Sequence, residues 1–235
     1  MPRRAKLLVA LLLLPLCAGV GRAVLEIASR LEFNEMVMAP LLAGVLCMGL
    51  LYFWLPKPIW VYVLGHEFTH AIATVLCGGR VKGMKVGSEG GHVYVTRDNF
   101  FVALAPYFIP IYAIMVFVIF ALGRQILDWE STAVWAAFFW ALGLSYSFHI
   151  LLTWNILHTR QTDITSQGYI FSAVIIFLGN ALVVVLGMNI VSSDIGLGLI
   201  AHSLGNGVSE TYLIIGGFAE NTLTTINSVL NSTSG

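Results

Sequence analysis

Charge is what this sequence has least of. Of its 235 residues, 10% are Asp, Glu, Lys or Arg and 58% are hydrophobic, where a soluble domain carries roughly 25% and 45–50%. So few charged side chains cannot cover the surface of a water-soluble globule of this length. An excess of either sign is missing too. The 12 basic residues balance the 12 acidic ones, leaving no basic stripe for phosphates and excluding nucleic acid as an expected partner. Cysteine is scarce: Cys17, Cys47 and Cys77 all fall in apolar segments. They read as small buried hydrophobes, and a secreted disulfide framework is excluded. High hydrophobicity with zero net charge excludes intrinsic disorder. What remains is an all-α polytopic membrane protein with the lipid bilayer as its surroundings. It reads as a single membrane-embedded domain over residues 1–235, with its core at about 36–188.

Long apolar runs are plentiful. A transmembrane helix needs about 20 mostly apolar residues. Met36–Leu55, Phe100–Leu122 and Tyr169–Met188 meet this without a charge, and Ala133–Leu157 carries His149 as its one ionisable group. Ile59–Cys77 is long enough but contains His66, Glu67 and His70. Leu7–Gly21 follows the basic start Pro2-Arg3-Arg4-Ala5-Lys6 and contains Pro15; it reads as a retained helix rather than a signal-peptide core. About six transmembrane helices are expected. Beyond Asn189 the chain is apolar but interrupted by Gly196, Gly198, Gly205, Gly207, Gly216 and Gly217, which fits a short helical or irregular C-terminal segment.

The segment 78–99 differs from its surroundings. Val81, Met84 and Val86, then Val93 and Val95, flank Gly87-Ser88-Glu89-Gly90-Gly91. Short β-prone runs around a glycine-rich turn predict a hairpin. An unpaired hairpin edge suits an extended peptide.

The chemistry is concentrated in His66-Glu67-Phe68-Thr69-His70, an H-E-x-x-H pattern. On a helix the two histidines share one face and can reach one ion. Zinc takes neutral imidazole nitrogen and keeps an open position in catalytic sites. Glu67 stands beside the pair, where a carboxylate can take a proton from water. Ionisable residues at the centre of a span cost about 2.5–3.5 kcal/mol each and are functional by default; a bound dication would offset three of them within five residues.

Two imidazoles need a third protein ligand. The remaining candidates are His92 in the hairpin, His149 within a span, His158 just beyond it, His202 in the C-terminal stretch, and Asp163 before the Tyr169 span. Counting crossings, with Phe100–Leu122 as one span and Ala133–Leu157 as the next, returns the chain to the side on which the motif helix ends. That favours Asp163, with His158 as the runner-up.

With these residues in view, the sequence resembles the site-2 protease family of intramembrane zinc metalloproteases, as a small, divergent member. The likeness lies in H-E-x-x-H inside a hydrophobic span, a glycine-rich hairpin directly after it, and a distant Asp at the mouth of a later span. The family's second motif resembles N-x-x-P-x-x-x-x-D-G. Asn155 precedes Asp163 by that interval, with His158 and Ile164 at the Pro and Gly positions. The resemblance covers Ile59 to Met188. It implies that His66, His70 and Asp163 bind Zn2+, that Glu67 is the general base, and that Asn155 orients substrate or the oxyanion. It also implies hydrolysis of peptide bonds in the transmembrane segments of membrane-protein substrates. A multi-pass location follows, in the cell (inner) membrane if the source is bacterial. Pro106 and Pro110 open or kink a helix near the site. The competing readings are a metal-binding transporter or scaffold, and an inactive relative that binds clients without cutting them.

Overall fold

A backbone in lipid has no water to bond, so apolar runs must satisfy their own N–H and C=O groups as helices. The computed structural model describes residues 2–87, 90–127, 129 and 131–233. In chain order these form α1 (Arg3–Ser29), α2 (Glu35–Trp54), α3 (Ile59–Leu76), β1 (Val81–Gly87), β2 (Gly90–Val95), α4 (Phe100–Leu104) with a 3-10 turn (Ala105–Tyr107), α5 (Ile111–Ile126), α6 (Thr132–Leu157), α7 (Thr162–Gln167), α8 (Tyr169–Val191) and α9 (Leu197–Thr233). Among the described residues, α1, α2, α3, α6 and α8 are long and apolar enough to cross a membrane, and the α4–α5 pair is a sixth candidate. The protein is therefore the all-α, multi-pass membrane protein that its composition predicts. Two expectations change. The glycine-broken stretch beyond Asn189 is a 37-residue helix rather than a short one. The run Phe100–Leu122 is broken, its two arms bent by 78°. Pro106 and Pro110 lack backbone N–H groups and clash with a preceding helical turn, which stops the helix there.

The chain forms two compact units. One consists of the chain up to Leu31 together with the chain from Ala181 onward. In it α1 and α9 approach through small residues: a Cβ on Gly207 would stand 2.5 Å from the Gly19 carbonyl. Small residues at such crossings let helix backbones come close in lipid. Arg22 and Glu210 pair across the same contact at 2.6 Å.

The other unit, Glu32–Asn180, carries the motif. Its main packing joins α2 to α6. Gly44 lies against the Trp140 carbonyl, and Gly143 against that of Leu41. Towards the other end, Tyr52 meets Asn155. Leu41 and Gly44 thus meet α6 at 140–143 and Tyr52 meets it near its end, so α2 and α6 run parallel. α3 runs against α6, with Lys57 at Asn155 and Tyr62 at Thr153. The segment from α4 onward runs against α3, with Val102 at His70 and Tyr107 at His66. α5 then runs against α6, with Tyr112 at Phe148, Phe120 at Phe138 and Arg124 over Trp135. The prolines therefore turn the chain back instead of letting it cross. The crossing count used above is corrected by this: α6 ends level with the start of α3, not its end. Asp163 meets the histidines because residues 159–163 run along α3, where they line the same groove as Ile59 and His66.

The predicted hairpin forms. β1 and β2 pair antiparallel, with Val86 opposite Gly91, Lys85 opposite His92 and Met84 opposite Val93. Ser88 and Glu89 of the predicted turn lie outside the described residues. The hairpin packs along α3 with Val93 buried.

Candidate metal centre

The helical period sets the first half of the site. His66 and His70 stack nearly edge to face, with ring centroids 4.8 Å apart and planes at 83°. Asp163, in the first turn of α7, completes the group. Its Oδ2 stands 3.4 Å from His66 Nε2 and 3.5 Å from His70 Nε2. One ligand atom from each of the three residues lies within 4.8 Å of the others.

Neighbouring groups aim these side chains. His70 Nδ1–H donates to the Val102 carbonyl at 2.7 Å, which in the neutral ring turns the Nε2 lone pair toward Asp163. A lone pair facing a carboxylate oxygen needs a cation between them, either a proton or a metal. Tyr107 O–H donates to the same Asp163 oxygen at 3.0 Å, and its ring sits edge-on to His66 with centroids 5.3 Å apart. Tyr107 is 1% exposed, and its carbonyl is held by the Asn180 side-chain amide at 3.1 Å.

Glu67 is 6% exposed and lies under β2. A Cβ on Gly91 would stand 2.5 Å from Glu67 Cγ and 2.7 Å from its Oε1. His66, Glu67 and His70 open into a groove of about 890 Å³, whose other walls are β2 from Gly90 to Val95 and the 159–163 segment.

The other sequence candidates lie elsewhere. His158 donates its Nδ1–H to the Trp154 carbonyl and packs on the Trp154 ring, outside the three-residue group. His92 lines the groove from β2 and packs against Tyr94. His202 sits within hydrogen-bonding range of Asn206 on α9. Asn155 is not brought to the group: its Oδ1 accepts from Lys57 Nζ at 2.8 Å and from Tyr52 O–H at 3.5 Å. Two residues that sequence reasoning passes over stand at the centre. Tyr107 had a signal, a lone phenol between Pro106 and Pro110 in an apolar run. Gly91 had none, since it reads as one more turn glycine.

A H-E-x-x-H pair joined by a distant carboxylate at a spacing that could hold one metal ion, among helices long and apolar enough to cross a membrane, is the arrangement that the site-2 protease resemblance implies. The comparison with known families agrees. The chain matches the family described as Peptidase M50B-like over residues 38–159, just over half of its length, and it belongs to that family of membrane metalloproteases. The site-2 protease resemblance is thereby borne out. The matched stretch holds the whole H-E-x-x-H motif and ends four residues before Asp163. No curated protein and no solved structure matches the chain.

Proposed function

We propose that this chain is an intramembrane zinc endopeptidase cutting the transmembrane segments of membrane-protein substrates. One observation carries the reading: a carboxylate 97 positions away meets both motif imidazoles beside a groove that Glu67 also lines. The donor set fits the metal expected for the family. Ligand atoms about 2.0–2.2 Å from a tetrahedral zinc stand roughly 3.4 Å apart, which is the Nε2–Oδ2 spacing found here.

His66, His70 and Asp163 would hold the ion. Zinc bound there supplies Lewis acidity, polarising a carbonyl and drawing the pKa of water toward about 7. Glu67 accepts the proton of the attacking water and returns it to the leaving amine. Its place under β2 keeps the carboxylate away from bulk water. A helical substrate buries its scissile carbonyl in its own hydrogen bonds, so it must unwind, and β2 offers an edge for the extended stretch. Asn155 has no step in this scheme, because its amide is engaged by Lys57.

The test is metal analysis of detergent-purified full-length protein, alongside cleavage of a transmembrane reporter in proteoliposomes. Wild type is expected to hold about one zinc per chain, and to lose cleavage on chelation and regain it with Zn2+. Asp163→Ala is expected to lose the metal and His158→Ala to keep it. Unchanged metal content in Asp163→Ala overturns the ligand set.

The same preparation tests Tyr107. Tyr107→Phe keeps the buried ring and removes the O–H that holds Asp163 Oδ2. Losing such a supporting donor costs about 10–100-fold in metal affinity. A chelator-competition titration is expected to read a loss in that range with no change in stoichiometry. Wild-type affinity would mean that Asp163 needs no help from this phenol.

A further inference from the structure

α6 carries a histidine that the proposed reaction does not use. His149 is 6% exposed, and among the described residues its Nε2 is buried without a hydrogen-bond partner. His66 is in the same condition at its other ring nitrogen: Nε2 faces Asp163, while Nδ1 is buried and unpartnered. An unpaired buried polar atom costs roughly 1–3 kcal/mol, so two of them need a reason. Both side chains line one small cavity of about 10 Å³, with Tyr62, Gly65 and Thr69 of α3 and Pro106 at the helix break. That is room for about one water molecule.

We propose that this cavity is a binding site for a single water, which accepts the His66 Nδ1–H and donates to His149 Nε2, making His149 a positioning residue for His66. Water fits because it can accept from one ring and donate to the other in the same place. A metal-ligating histidine almost always donates its second N–H to a carboxylate, a carbonyl or a water. His70 has the Val102 carbonyl for this purpose; among the described residues His66 Nδ1 has no acceptor, and the bridged water fills the role. The bridge selects the tautomer in which His66 Nε2 carries its lone pair toward Asp163. It also ties the metal-binding face of α3 to α6, the helix that leads to Asp163.

The positioning role rests on the zinc reading; the water site does not. The experiment is zinc affinity by chelator competition on the full-length protein in detergent, comparing wild type, His149→Phe and His149→Gln. Thermal midpoints are measured on the same samples, and wild type is imaged at a resolution that shows ordered waters. His149→Phe is expected to bind zinc about 10–100-fold more weakly. His149→Gln, which keeps an acceptor at that depth, is expected to recover most of the loss, with KM for the reporter unchanged in both. Equal affinities in three folded proteins overturn the positioning role and leave the metal centre standing. A map with no water between His66 Nδ1 and His149 Nε2 overturns the water site whether or not metal binds. A wild type that binds no zinc yet shows the water defeats the metal reading and the positioning role together. Should His149→Phe fail to fold, His149→Leu, which likewise offers no acceptor, takes its place with the same expected loss.

Discussion

Glu67→Gln is expected to hold zinc as tightly as wild type and to cleave its substrate at least 10²–10⁴-fold more slowly, the usual worth of a general base. The substitution is nearly isosteric, so the groove and the packing under β2 persist. Glu67 is not one of the three residues that converge at ligand spacing, so metal content has no reason to change. What disappears is the carboxylate that, in the proposed reaction, would take a proton from water and hand it to the amine. Cleavage of a transmembrane reporter in proteoliposomes, with zinc measured on the same sample, checks both halves. Retained cleavage removes Glu67 from the mechanism. A wild type that is loaded with zinc and cuts no membrane substrate points to a transporter, a scaffold or an inactive relative.

Gly91→Ala is expected to reach almost the same end from the other side of the groove. The new methyl would meet Glu67 Cγ at 2.5 Å and both Glu67 Oε1 and Val63 Cγ1 at 2.7 Å. Such distances force a shift. Val63 is held within α3, so the carboxylate or the strand must give. Displacing a reacting group by about 1 Å costs on the order of 10²-fold in rate, and a loss of that size is expected in kcat with zinc content unchanged. Gly83→Ala on β1 is the control, since a Cβ there makes only an ordinary 3.7 Å contact with Tyr94. Equal activity of Gly91→Ala and wild type would mean that β2 does not confine Glu67.

The spans and the histidine pair were legible because both are local. Met36–Leu55 is apolar for the length of a bilayer crossing, and i to i+4 spacing on any helix brings His66 beside His70. The hairpin was legible for the same reason, since β-prone residues on either side of a glycine cluster leave the chain few alternatives. Pro106 and Pro110 announced a break, but whether the chain then crosses or turns back depends on which neighbours α5 finds. Phe120 stacks on Phe138 with centroids 4.1 Å apart, and no local rule selects that partner. The glycines after Asn189 misled in the other direction. Glycine costs a helix interior about 1 kcal/mol relative to alanine, but lipid leaves the backbone nothing else to bond, and Gly207 is the residue that lets α9 approach α1.

Asp163 belongs to both accounts. As a residue type it was the natural third ligand, and the crossing count that favoured it assumed a span the protein does not make. Composition and local periodicity by themselves determined that this chain lives in a bilayer, where its helices run, and that a pair of imidazoles faces one way from α3. Tertiary structure alone decided which distant carboxylate closes on them, which phenol holds that carboxylate, and which glycine lets a strand lie over Glu67. The reason is range: helix formation depends on residues within a turn or two, whereas these contacts join residues 24 to 97 positions apart, and only the packing within the unit Glu32–Asn180 chooses among them.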